Sequence, residues 1–195
     1  MNKNIEHYFF HKENFLDNKK CDNYVKELNQ NVWKKHNWYS SQDDLYYNPG
    51  TNEQEPDIIT QEIFSPDIKK INGELVEELH SIILEYIQSF KFDWFVGWKG
   101  YSPMKFIRYH PGNRMENHCD HIHSMFDGKR KGIPILSIIG LLNDDFEGGD
   151  LIMFEDKKID IKKGDVVIFP SHFLFPHEIT SVIKGMRYSY TSWVW

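Results

Sequence analysis

The rhythm of apolar and polar positions changes once along the chain. Up to about residue 90 the apolar residues recur at helical spacing, and beyond it they alternate or bunch in short runs bounded by glycine turns. Cys21, Tyr24, Val25, Leu28 and Val32 mark a first amphipathic helix, with Asp17 as its cap after an extended stretch over 8–16. Ser65-Pro66-Asp67 opens a second, because a capping hydroxyl, a proline in the first turn and an acid there all suit a helix N-terminus. Ile68, Ile71, Leu75, Leu79, Ile82, Ile83, Tyr86, Ile87 and Phe90 form its apolar stripe. Gly73, costing about 1 kcal/mol inside a helix, is a place for a kink, and His80 reads as a surface residue. Between the helices, residues 40–56 are polar and rich in turn formers, which predicts a long loop of the kind that serves as a lid.

After Lys91 the pattern predicts strands over 94–98, 105–110, 115–121, 135–142, 151–154, 158–161, 166–169, 177–183 and 187–194. Pro111-Gly112, Asp127-Gly128, Gly148-Gly149, Lys163-Gly164 and Lys184-Gly185 punctuate them. Helices followed by eight or nine short strands predict an α+β fold, a jelly-roll core with flanking N-terminal helices. With no internal repeat or linker, residues 1–195 read as one domain: helical support and a variable loop over 1–91, and the jelly-roll core over 92–195.

Charge removes one class of partner. With 23 Lys and Arg against 29 Asp and Glu, a net charge of −6 and a pI near 5.9, the chain has no global attraction for polyanions. An obligate nucleic-acid partner is not expected. Two cysteines, Cys21 and Cys119, lie in unrelated contexts, so no disulfide framework is expected and a reducing compartment suits the chain. No apolar run approaches membrane-spanning length and no secretory leader is visible, which predicts a soluble, intracellular, cytoplasmic protein without a membrane partner.

Candidate chemistry gathers in 109–120. His118 and Asp120 are two positions apart, and on a regular strand they point the same way, with Cys119, His121 and His123 opposite. One strand can thus offer two ligands to one metal. The best third ligand is His177, just after the apolar run 166–170. Two imidazoles and a carboxylate with open positions make a facial triad, although residue type alone leaves Fe(II), Mn(II) and Zn(II) open. The chain lacks a His-Glu-x-x-His helix, a paired Cys-x-x-Cys and a Gly-x-Ser-x-Gly elbow, so zinc-protease, zinc-finger and α/β-hydrolase readings are poor.

Six motifs occur in order: Phe106-Ile107-Arg108-Tyr109-His110-Pro111-Gly112; His118-Cys119-Asp120; the run from Leu142 to Leu151; Gly164-Asp165 with Phe169-Pro170-Ser171; His177-Glu178-Ile179; and Gly185-Met186-Arg187-Tyr188-Ser189. Together they resemble the Fe(II)/2-oxoglutarate-dependent dioxygenases, in particular the prolyl 4-hydroxylase-like branch, over roughly 92–195. The resemblance implies a double-stranded β-helix, with His118, Asp120 and His177 as iron ligands. It implies Arg187 on the distal carboxylate of 2-oxoglutarate, Tyr109 at the same end, and Ser189 as a further hydrogen bond to the co-substrate. Many prolyl hydroxylases carry lysine where this chain has Arg187, a departure that bears on the substrate.

The implied cofactors are Fe(II), 2-oxoglutarate and O2, with ascorbate as an accessory reductant. The implied reaction hydroxylates a C–H bond, and the branch points to a prolyl residue in a peptide or protein. Trp94, Trp98, Tyr101 and Trp193 suit a groove that stacks on proline rings, and equally suit a core. The basic turn over 127–132 suits an acidic peptide but equally reads as a solvated run. Two alternatives stay open: an oxygenase acting on a free amino acid, another small molecule or a nucleobase, and a catalytically silent jelly-roll binding module.

Overall fold

The computed structural model describes residues 4–40, 45–47, 54–90, 100–120 and 134–195. The expected strand over 94–98, His121, His123, the basic turn over 127–132 and most of the expected lid lie outside the described residues.

Two α-helices occur among the described residues. The first, α1 (Asn18–Leu28), starts where Asp17 accepts a hydrogen bond from Lys20 N at 2.8 Å and buries Cys21, Tyr24 and Leu28. It stops a turn earlier than the spacing suggests, leaving Val32 outside it and exposed. The second, α2 (Pro66–Ser89), follows the Ser65 cap and runs unbroken through Gly73. All seven expected positions from Ile68 to Tyr86 are buried, and His80 is exposed.

Fifteen strands are described. In chain order they are β1 (Phe10–Lys12), β2 (Lys34–Lys35), β3 (Trp38–Ser40), β4 (Leu45–Tyr47), β5 (Asp57–Ile59), β6 (Lys105–Tyr109), β7 (Met115–His118) and β8 (Leu136–Leu141). They continue as β9 (Glu147–Gly148), β10 (Leu151–Met153), β11 (Lys157–Ile159), β12 (Val166–Pro170), β13 (His177–Ile179), β14 (Val182–Lys184) and β15 (Arg187–Val194). A seven-stranded sheet has the order β1-β12-β8-β15-β6-β5-β2, and a four-stranded sheet has the order β11-β10-β13-β7, with every pairing antiparallel.

Alternation along the central strands builds two cores. Outward residues such as Phe106, Ile138, Ile168, Tyr188 and Tyr190 pack with α1 and α2, while Ile107, Tyr109, Ile139, Val167 and Phe169 meet Met115, Leu151, Met153 and Ile179 of the smaller sheet. Covered on both faces, β8 is buried at all six positions, which explains its nearly continuous apolar run. This is the double-stranded β-helix, a jelly roll with helices on one side.

Three sequence expectations need correction. The N-terminal part is more than helical support, because β1, β2 and β5 extend the larger sheet. At the start of the expected loop, β3 and β4 pair antiparallel, two short aromatic-rich segments with high strand propensity set among polar turn formers. The continuous strand over 177–183 is divided: β13 stays in the smaller sheet while β14 leaves to pair with β9, the chain turning where Gly149 N donates to Ser181 O at 3.1 Å.

Candidate functional site

His118 ends β7 and His177 begins β13, and the two are direct register partners across the smaller sheet. Their rings lie 4.5 Å apart. Asp120 is not on the strand as regular alternation would have it, because β7 stops at His118 and the chain bends. That bend still returns its carboxylate to the imidazoles: Oδ1 lies 3.5 Å from His118 Nε2 and Oδ2 lies 3.8 Å from His177 Nε2. All three ligand atoms fall within 4.8 Å of one another, a spacing that can hold a metal ion.

Backbone carbonyls set both imidazoles for this arrangement. His118 Nδ1 lies 2.7 Å from Glu116 O and His177 Nδ1 lies 3.2 Å from Phe175 O. A carbonyl only accepts, so the proton sits on Nδ1 in each ring and Nε2 keeps a lone pair facing Asp120. Burial pushes His177 down to about 4, against the opposing pull of Asp120, so it is a neutral ligand at neutral pH. Burial alone would raise Asp120, but His177, His118 and a hydrogen bond from Ser137 hold it well below the usual carboxylate range.

Ser137, on the inner face of β8, donates to Asp120 Oδ2 at 2.5 Å, and Ser171 lies 2.7 Å from the same hydroxyl. Sequence reading missed this residue. The signal was present, since Ser137 is the one polar side chain in the run from Leu136 to Leu141. Sequence reading likewise passed over Trp38, which packs edge-on against the His118 ring at 5.1 Å. Its Nε1 donates to Glu55 at 3.1 Å, and the other Glu55 oxygen lies 3.0 Å from His36 Nδ1. The base of the expected lid is thereby tied to a candidate metal ligand.

On the facing sheet, Arg187 and Tyr109 are register partners, and the guanidinium lies 5.1 Å from the Tyr109 ring centre. Arg187 is 1% exposed. Its Nη1 donates to Ser189 Oγ at 2.8 Å, whereas Nε and Nη2 are buried with no partner. Unpaired guanidinium N–H groups in a dry site are costly, and a planar fork of this kind matches a carboxylate. Gly149 makes room for it: a Cβ there would stand 2.9 Å from Arg187 Cδ, and φ is +63°. The glycine pair expected to serve only a turn therefore also shapes the site. Burial pushes the Tyr109 phenol up to about 12, so it is a neutral hydrogen-bonding group at neutral pH.

His118, Asp120, His177, Arg187, Tyr109 and Ser189 all line one small inner cavity. A larger cleft of about 690 Å³ opens beside it, sharing Lys105, Met115, His118, Asp120 and Trp193. Trp38 and Trp195 also line it, whereas Trp94 and Trp98 of the expected aromatic groove lie outside the described residues.

Residues 104–195, which contain His118, Asp120, His177, Tyr109, Arg187 and Ser189, match the 2OG-Fe(II) oxygenase superfamily. Over that stretch, just under half of the chain, the protein is similar to this superfamily. No curated protein matches the chain. Among solved structures, a Pseudomonas putida prolyl-4-hydroxylase aligns with a TM-score of 0.66 at 20% identity, covering 96% of this chain and 91% of that one. A prolyl hydroxylase from Trichoplax adhaerens, in complex with a hypoxia inducible factor oxygen degradation domain peptide, aligns with 0.65 at 20%, covering 96% and 83%. The viral collagen prolyl hydroxylase of Paramecium Bursaria Chlorella virus-1, in a 2OG complex, gives 0.61 at 17%, covering 96% and 94%. At these identities the likeness establishes the shared fold.

The matched superfamily implies Fe(II), 2-oxoglutarate and O2 as cofactor and co-substrates. The residues present fit them on two counts. Two neutral imidazoles and a carboxylate converge on one point, and an orphaned buried guanidinium waits for an anion in the same cavity. No helix among the described residues is long and apolar enough to cross a membrane.

Proposed function

We propose that the protein is a 2-oxoglutarate-dependent hydroxylase that oxidises a C–H bond of a prolyl residue in a peptide or protein. The observation that carries the oxygenase part is the pairing of the His118, Asp120 and His177 trio with the unpaired Nε and Nη2 of Arg187 in one cavity. In this reading His118, Asp120 and His177 hold Fe(II), and Arg187 clamps the distal carboxylate of 2-oxoglutarate. Bound Fe(II) supplies the chemistry that couples O2 to oxidative decarboxylation. Overall, substrate C–H, O2 and 2-oxoglutarate give C–OH, succinate and CO2.

The chain's residues bind, orient and shield. His118 and His177 are kept as Nδ1–H tautomers by Glu116 O and Phe175 O, so both present Nε2 to the metal. Ser137 holds one Asp120 oxygen and thereby fixes the carboxylate's rotation. Ser189 accepts from Arg187 and orients the fork, so its contribution to co-substrate binding runs through Arg187. Tyr109 lies against the guanidinium and, as a neutral phenol, can donate to the same carboxylate. The substrate enters from the larger cleft, whose wall includes Trp38, Trp193 and Trp195.

Support for a prolyl substrate comes from the shared fold with prolyl hydroxylases and from the Trichoplax relative's peptide complex. Indole faces suit stacking on a pyrrolidine ring. The test is succinate formation from 2-oxoglutarate by the Fe(II)-loaded protein across a panel of prolyl peptides, free amino acids and oligonucleotides. Stimulation by prolyl peptides with a gain of one oxygen on proline supports the reading. Stimulation confined to free amino acids or oligonucleotides overturns the prolyl assignment.

A further inference from the structure

We propose that Lys105 anchors a carboxylate of the primary substrate, so that the molecule oxidised is anionic close to the C–H bond that reacts. This rests on the oxygenase reading above and narrows its substrate class.

Lys105 begins β6 and stands opposite Thr191, on the inner face it shares with Ile107 and Tyr109. Tyr109 and Arg187 lie at the far end of that face, four residues along the strand. At a rise of about 3.3 Å per residue the two cations are rooted about 13 Å apart. Arg187 would hold 2-oxoglutarate at the inner end of that face, and Lys105 stands at its cleft end. Consistent with that place, Lys105 lines both the inner cavity and the larger cleft.

Its ammonium feels Asp120 and Glu55 only through space. Among the described residues Lys105 makes no hydrogen bond or ion pair, and its nearest recorded partner is the indole face of Trp193, 5.3 Å away. Trp193 Nε1 is itself buried with no acceptor. Two donors at one place therefore lack a protein acceptor, the indole N–H buried and the half-buried ammonium on the cleft wall, where an anion would meet both.

The neighbouring acids are already engaged. Glu55 accepts from Trp38 and faces His36, while Asp57 is held by Lys35, Arg108 and His110. Asp120 faces the metal position and Ser137. Lys105 faces the cleft with no acceptor of its own, and a substrate carboxylate would supply one. The carboxylate has two possible sources, an acidic side chain beside the target residue or the free α-carboxylate of a terminal proline.

The test uses the full chain saturated with Mn(II) and 2-oxoglutarate, titrated calorimetrically with matched probes. N-acetyl-Pro-Asp amide is compared with N-acetyl-Pro-Asn amide, and N-acetylproline with N-acetylprolinamide. The expected result is that at least one anionic probe binds about tenfold tighter than its neutral twin, and the pair that discriminates identifies the source. Lys105→Met should abolish that difference while leaving 2-oxoglutarate affinity unchanged, and Lys105→Arg should retain it. Lys105→Gln serves the same purpose should the methionine variant not fold. Equal binding of both twins, or no binding of any probe, overturns the proposal, as does loss of 2-oxoglutarate affinity in Lys105→Met. Mass analysis after Fe(II) and O2 are supplied separates the two claims. Preference for the anion without oxygen gain on proline sinks the prolyl reading alone, and oxygen gain indifferent to charge sinks the anchor alone.

Discussion

Ser137 and Asp120 are joined by a 2.5 Å hydrogen bond from β8 of the larger sheet to the bend after β7 of the smaller one. Ser137 is fully buried, and its hydroxyl is the one polar group that β8 sends toward the candidate metal position. Ser137→Ala is expected to weaken metal binding about 10–100-fold, the usual effect of removing a group that orients a ligand. Ser137→Thr, which keeps the hydroxyl, should retain most of it. Mn(II) titration followed by electron paramagnetic resonance reads this without turnover. Unchanged affinity in the alanine variant would assign the hydrogen bond to folding alone.

Arg187 is expected to cost the unliganded protein stability, since two of its buried N–H groups have no partner. Arg187→Met should therefore melt at the same temperature as wild type or higher when free of ligand. It should also lose the stabilisation that 2-oxoglutarate gives wild type in the presence of Mn(II), about 2.7 kcal/mol at a hundredfold excess over Kd. Differential scanning fluorimetry with and without 2-oxoglutarate separates the two effects. A variant that is destabilised yet still stabilised by 2-oxoglutarate would remove Arg187 from the clamp.

His36 sets a pH dependence of stability. Burial pushes it down to about 4, outweighing the pull of Glu55, while Lys105 and His118 add to the depression. Above pH 6.5 both folded and unfolded chains hold it neutral, and the stabilisation is complete. As pH falls from about 6.5 towards 4 the unfolded chain takes up a proton that the native state refuses, so stability is lost across that window. Between pH 7.5 and pH 5 this one group contributes a loss of about 2 kcal/mol. Unfolding free energies from urea titrations at the two pH values should differ less in His36→Gln than in wild type by about that amount, and equal differences would contradict the assignment.

Tyr190 and Gly140 form a tight pair on the helix-facing side of the larger sheet. The ring occupies the space where a Gly140 Cβ would stand, and its hydroxyl is buried without a partner. Gly140→Ala is expected to destabilise by about 1–3 kcal/mol through overpacking. Tyr190→Phe should be neutral or stabilising by about 1 kcal/mol, because it removes an unsatisfied group. Chemical denaturation measures both, and a marked loss in Tyr190→Phe would mean that the hydroxyl has an acceptor.

Much of the fold could be read from short-range pattern. The Ser65 cap and the stripe from Ile68 to Tyr86 gave α2, and alternation with glycine punctuation located most core strands to within two residues. What escaped was short or set by partners distant in sequence. β3 and β4 are three-residue aromatic-rich segments, too short to show a period among the polar residues around them, and 177–183 divides because β9 draws away its second half. The candidate site behaved the same way. His118, Asp120, His177 and Arg187 were legible because their order along the chain carries a family pattern. Ser137, Lys105 and Trp38 acquire significance only when the sheets bring them beside that constellation.

Anaerobic visible absorption spectroscopy tests the central claim most directly, that His118, Asp120 and His177 hold Fe(II) beside a 2-oxoglutarate clamped by Arg187. A charge-transfer band is expected only when Fe(II) and 2-oxoglutarate are both added to wild type. It should vanish in His118→Ala and His177→Ala, and in Arg187→Met at 2-oxoglutarate concentrations that saturate wild type. No band in the folded wild-type protein, or a band that survives loss of either histidine, would contradict the claim.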